Sequence, residues 1–190
     1  MMQNILGSRY PKTVELKTGV QITIRPMAKE DRAGLLAFFR DVPPADRRLL
    51  KEDVTKEAVV DGWIRHLDYD NVLPLLAEVR GKIVADATLH LEKSGWQRHI
   101  GKVRVVIHPD FRHLGLGSRL VSEIIGVASD IGLDALDAEI VADQVPAILA
   151  FERLGFKTAA SFPGHVKDLE GGIHALVVMV YDLREAEEGP

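Results

Sequence analysis

A short apolar run, Val105-Val106-Ile107, leads through His108-Pro109-Asp110-Phe111 into Arg112-His113-Leu114-Gly115-Leu116-Gly117-Ser118. Beyond it, Leu116, Leu120, Val121, Ile124, Ile125 and Ala128 recur at three- and four-residue intervals, the period of one helical face. A strand that turns through glycines into a helix constrains both fold and function. The first turn of such a helix leaves backbone N–H groups without intrahelical partners, and the macrodipole adds partial positive charge there. Gly115 and Gly117 carry no Cβ, so a ligand can come close to the main chain. Arg112 and Arg119 flank the turn and can add charge-assisted contacts. The stretch therefore predicts a site for a pyrophosphate or similar anion, held mostly by backbone. A plain strand-to-helix connection would carry the same glycines, so the loop alone does not decide.

Two common nucleotide sites are disfavoured. A P-loop needs Gly-Lys-Ser/Thr, and here Gly117-Ser118-Arg119 lacks the lysine. A Rossmann turn needs a third glycine, where this chain has Leu120, and a tighter exit from the strand. Residues 135–141 read as a strand, with Leu136, Ala138 and Ile140 on one face and Asp137 and Glu139 on the other. Residues 145–154 read as a helix with Pro146 in its first turn, and Gly155 is its expected stop.

Arg112-His113-Leu114-Gly115-Leu116-Gly117 resembles the Arg/Gln-x-x-Gly-x-Gly/Ala loop of the GNAT superfamily of N-acetyltransferases. Ala150-Phe151-Glu152-Arg153-Leu154-Gly155-Phe156 resembles that family's second signature. The resemblance runs from Val20 to about Leu183 and is strongest over residues 103–156. It implies a mixed α/β fold: a central, mostly antiparallel sheet flanked by helices, whose strands at 99–107 and 134–141 splay to admit acetyl-CoA. It also implies that the backbone of Val105, Val106 and Ile107 lines the pantetheine arm and the thioester. One N–H there would stabilise an oxyanion, a donor whose loss costs about 2.7–4 kcal/mol of barrier in other enzymes. The N–H groups of His113, Leu114, Gly115, Leu116, Gly117 and Ser118, with Arg112, would hold the pyrophosphate.

The same resemblance assigns chemistry. Glu139 becomes the candidate general base, since an acceptor ammonium must lose a proton before it attacks; its bland alternative is a solvated carboxylate. Phe151 stands where many members have a tyrosine that protonates the leaving thiolate, and a phenyl ring cannot donate. Phe151 is expected to pack against the cofactor arm or the core. Gln144 stands where the family often has an asparagine that bonds pantetheine. The acceptor groove would be built from roughly residues 38–47 and 161–172. Neither stretch names the amine, and oligomeric state is open, a homodimer being common in the family.

The rest of the sequence bounds the reading. A formal net charge of −4 gives no footprint for nucleic acid. No apolar run approaches the ~20 residues that span a bilayer, and no secretory signal is expected, so a cytoplasmic location follows. With no cysteine there is no acyl-cysteine intermediate, so the acceptor is expected to attack the thioester directly in a ternary complex. The seven histidines show no zinc-site spacing, so no metal is expected; His90 and His174 lie in predicted strands. Strands are predicted at 20–25, 73–79, 83–91, 99–107 and 173–182, and helices at 29–40 and 56–67. Residues 1–18 read as an N-terminal extension, 19–183 as one domain and 184–190 as an acidic tail that frays. The chain is thus expected to be an N-acetyltransferase that acylates a primary amine of a small molecule, peptide or protein. The alternative is a non-catalytic acyl-CoA-binding module, prompted by Phe151.

Overall fold

In the computed structural model, which describes residues 2–187, eight strands form one sheet. They are β1 (Lys12–Glu15), β2 (Gln21–Pro26), β3 (Val72–Val79), β4 (Lys82–His90), β5 (Ile100–Ile107), β6 (Ala135–Val141), β7 (Lys157–Lys167) and β8 (Ile173–Asp182). Their spatial order is β1-β2-β3-β4-β5-β6-β8-β7. The β5–β6 pair is parallel and the other pairs are antiparallel. This is the mixed, mostly antiparallel sheet that the sequence predicts.

Helices cover both faces. On one, α5 (Leu116–Asp130) buries Leu116, Leu120, Ile124 and Val127 against Ala85, Ala87, Leu89 and Val103. On the other, α2 (Arg32–Asp41) and α4 (Glu57–Arg65) enclose Leu35, Phe38, Phe39 and Val60 with Leu76 and Ile83. Between them lies α3 (Pro44–Arg47), a single turn opened by proline. After β6 comes α6 (Val145–Arg153), which sends Phe151 into the α5 cluster, and α7 (Leu183–Glu187) follows β8. In β4, Val84 is an extra residue between the Ala77↔Ala85 and Glu78↔Ile83 pairs. Its carbonyl accepts from the His108 N–H at 2.9 Å and ties down the end of β5.

The N-terminal segment departs from the expected extension. Residues Met2–Arg9 form α1, and β1 is one edge strand of the sheet. Met2, Leu6, Tyr10 and Leu16 enter the core. A buried carboxylate on α5 organises this docking: Glu123 accepts from Lys12 Nζ at 2.8 Å and Tyr10 Oη at 3.3 Å, and pairs with Arg119 at 3.1 Å. The predicted tail begins with α7; residues 188–190 lie outside the described residues.

Candidate active site

The sheet opens where the sequence predicts. Between β5 and β6 the ladder runs from Ile100↔Ala135 to Val103↔Ala138 and then stops. Residues 104–107 stay bonded to β4, and 139–141 to β8, but not to each other. Main-chain groups facing that gap need partners from outside the sheet. Gly101 marks its closed end, since a Cβ there would lie 2.6 Å from Leu89 Cδ1 and 2.9 Å from both Leu133 Cδ1 and Leu136 Cδ2. Any side chain there would have to displace these leucine ends, which glycine lets seal the paired end.

At the other end of the gap lies the glycine loop. His113 and Gly115 both have positive φ, 61° and 86°. Gly115 is the N-cap of α5, a conformation that favours glycine. The α5 ladder begins with Arg119 N–H donating to Gly115 O at 3.0 Å. The N–H groups of Leu116, Gly117 and Ser118 lie ahead of it, at the positive end of a 15-residue helix. A Cβ on Gly117 would come no nearer than 3.7 Å to Ile107, so space lies over these amides. The Leu116 side chain is core, which leaves only its backbone for a ligand. Arg112 differs from its expected role: Nε donates to Ile107 O at 3.2 Å and Nη2 to Asp46 at 2.8 Å. It braces the loop against strand and α3. A cation the sequence reading did not single out is near instead. Lys17, in the β1–β2 turn, brings its Cε to 3.9 Å from a Cβ built on Gly115.

Beside the gap is a cavity of about 290 Å³. Val105, Val106, Glu139, Gln144 and Phe151 line it; Ile107 and residues 112–118 do not. Phe151 also packs edge-on against Phe156, centroids 4.8 Å apart, so its ring joins core and cavity. No tyrosine lines the cavity among the described residues. Of the expected acceptor segments, Phe39 contributes, but residues 161–172 do not. There β7 runs on to Lys167, and the following turn is clipped to Arg48 O through the Leu169 N–H at 3.1 Å. Residues 49–52, Val54 and Trp63 form that wall instead.

The polar groups of the cavity come from strands β4, β5 and β6 and from the segments that carry Lys51, Glu52, His66, Asp68 and Gln144. Glu139 of β6 accepts from Lys51, whose ammonium holds the Glu139 carboxyl below its usual range. On β4, Asp86, Thr88 and His90 follow one another on the cavity face, with Thr88 Oγ1 3.0 Å from His90 Nε2. Burial, helped by Arg104 and neighbouring lysines, pulls the His90 imidazole down to about 4, so it is neutral at pH 7. Burial pushes the Asp86 carboxyl up to about 7. Asp86 is a residue that pattern reading passed over; its signal was a lone acid inside the apolar stretch Ile83-Val84-Ala85-Asp86-Ala87. His174, the other histidine placed in a strand, lies away from the cavity between Asp143 (2.6 Å) and Asp168 (2.9 Å).

Comparison with known proteins agrees with this geometry. The model of the Acetyltransferase (GNAT) family matches residues 37–156. A GNAT-family acetyltransferase from Streptococcus pneumoniae superposes with a TM-score of 0.73 at 24% identity, over 85% of this chain and 99% of that one. The GNAT domain of Streptomyces lividans PAT gives 0.75 at 20% identity, over 90% and 96%. The Salmonella typhimurium protein yncA, solved with its cofactor acetyl-CoA, gives 0.71 at 22% identity, over 85% and 94%. No helix among the described residues is long and apolar enough to cross a membrane.

Proposed function

Because the chain belongs to the GNAT acetyltransferase family, we propose that it transfers the acetyl group of acetyl-CoA to a primary amine by direct attack in a ternary complex. The observation that carries this reading is the parting of β5 and β6 after Val103 and Ala138 beside an anion-ready helix terminus. Together they fit an extended, amide-bearing arm that ends in a pyrophosphate. The cofactor supplies an activated thioester. The backbone of Val105, Val106 and Ile107 would line its arm, and the amides of Leu116, Gly117 and Ser118 would hold its phosphates. Gln144 adds a side-chain amide at the N-terminus of α6, where it does not cap the helix. Phe151 supports a second reading, a binding module without turnover, because it offers no proton to a leaving thiolate.

Calorimetric titration tests the first half of the proposal. Acetyl-CoA should bind, and ATP and NAD should bind at least about tenfold more weakly, a difference of about 1.4 kcal/mol. Equal affinity for all three would end the assignment. Release of CoA thiol across an amine panel then separates enzyme from binding module. Lys17→Ala provides a local check: loss of one solvent-exposed cation beside the phosphates should weaken acetyl-CoA by roughly 3- to 10-fold, and more at low salt than at high salt.

A further inference from the structure

We propose that Asp86 is a catalytic residue: its carboxylate receives the ammonium of an acceptor whose apolar body lies against Phe39, Leu50 and Trp63, and takes the proton that nitrogen must lose. This rests on the acetyl-transfer reading above and deepens it at the acceptor end.

Asp86 is only 9% exposed, lines the cavity, and has no hydrogen-bond partner for Oδ1 among the described residues. A buried carboxylate is costly unless a cation or donor completes it. Glu123, also buried, shows the contrast, with Tyr10, Lys12 and Arg119 around it. What Asp86 lacks is what an ammonium group supplies. Its position suits the chemistry as well. Asp86 is in register with Val106, on the length of β5 that has parted from β6. A nitrogen held by Asp86 therefore stands one strand from the gap. The wall facing it has an apolar part, Phe39, Leu50 and Trp63, with Phe39 and Trp63 in edge contact at 5.6 Å.

The titratable and charged groups facing the cavity with Asp86 are His90 from its own strand, Arg104 from β5 and Glu139 from β6. Lys51, Glu52, His66 and Asp68 come from the segments above. Burial is what raises Asp86, to about 7, the range in which a proton acceptor works at neutral pH. Glu139 is displaced in the opposite direction by Lys51. Asp86 takes one proton from the ammonium, and the freed nitrogen lone pair forms the N–C bond to the acetyl carbon. The C–S bond breaks, the remaining surplus N–H proton goes to the thiolate, and Asp86 returns its proton to water.

The test uses the full chain with 2-phenylethylamine as probe and ethylamine as its truncated counterpart. Wild type should favour 2-phenylethylamine in kcat/KM, with an acid limb near pH 7. Asp86→Asn should lower kcat/KM at least about 100-fold and erase that limb, with acetyl-CoA affinity within about twofold of wild type. Asp86→Ala should regain activity when formate is added, which a merely structural role would not allow. Glu139→Gln should keep the acid limb. A readout without turnover is the melting temperature of the ligand-free protein. A carboxyl whose folded pKa is raised stabilises least when ionised, so the stability of wild type relative to Asp86→Asn should fall as pH rises from the ordinary carboxylate range to about 7; His90, held down to about 4, adds an opposite slope that both proteins share. Asp86→Asn should therefore melt higher than wild type at pH 8. An acid limb that survives Asp86→Asn, or vanishes in Glu139→Gln, overturns the proposal. So does a wild type that binds acetyl-CoA yet favours ethylamine or turns over neither amine. A protein that does not bind acetyl-CoA removes the underlying reading instead.

Discussion

Gly117→Phe is expected to weaken acetyl-CoA by at least about 100-fold, roughly 2.7 kcal/mol, in a protein that still folds. The size of the effect follows from where position 117 lies. It is the second residue of α5, among the amides that precede the helix ladder, and its missing Cβ would meet only Ile107 at 3.7 Å. A side chain there has room to stand, and the room it takes is that over the amides. Stability should not fall, because glycine inside a helix costs about 0.5–1 kcal/mol relative to alanine. Calorimetry should therefore record lost binding while the melting temperature stays at or above wild type. Undiminished affinity would mean that the loop holds no cofactor. Gly115 could not serve for this test, since its φ of 86° would add backbone strain to any steric effect.

Phe39→Ala should carry the largest stability cost among single changes at the cavity, about 3–5 kcal/mol by urea unfolding. Phe39 is 2% exposed, packs at a tilt against Phe38 at 4.9 Å and meets Trp63 at 5.6 Å. Removing the ring strips the contacts that hold α2 and α4 together on the sheet, and it leaves a void continuous with the cavity. Against a typical domain stability of about 5–15 kcal/mol, that is a large share. If the ring also forms the acceptor wall, KM for an apolar amine should rise while acetyl-CoA affinity holds. A loss below about 1 kcal/mol would show that the helices are held by other contacts.

Much of this architecture was legible because its signals are local. β6 and β8 fall on the residues predicted, β6 because a strand with one buried face alternates and the chain alternates there, β8 because it carries the apolar run Ala175-Leu176-Val177-Val178-Met179-Val180. The glycine loop and α5 were legible for the same reason: positive φ and helical period are properties of neighbours in sequence. The N-terminal segment was not. Met2, Leu6 and Tyr10 make no amphipathic pattern strong enough to read; they join a core assembled from distant strands and α5, and Tyr10 is held by Glu123, more than a hundred residues away. Arg112 was legible as a cation of the loop but its partner Asp46 was not, and Lys17 was not legible at all, because a hairpin turn distant in sequence brings it near Gly115. Glu139 was found in the cavity, as its strand face required, but its proton affinity depends on Lys51, which no spacing rule connects to it. Asp86 was hidden by apolar neighbours, and its meaning lies in the absence of a partner, which only three dimensions reveal.

A sheet that parts within its own middle has edges indoors. Outer edges invite any passing strand, and proteins blunt them; β1, only four residues long, is blunted by brevity. The inner edges at 104–107 and 139–141 are instead open to whatever is slender enough to enter between them. Recognition written in main chain is indifferent to side-chain identity. On the proposed cofactor-binding role of this backbone, Val105, Val106 and Ile107 can drift among apolar alternatives without erasing it, provided that the strands still separate after Val103 and Ala138. What descends from ancestor to descendant in such a site is an interval between two strands, and sequence identity can fall far before that interval closes.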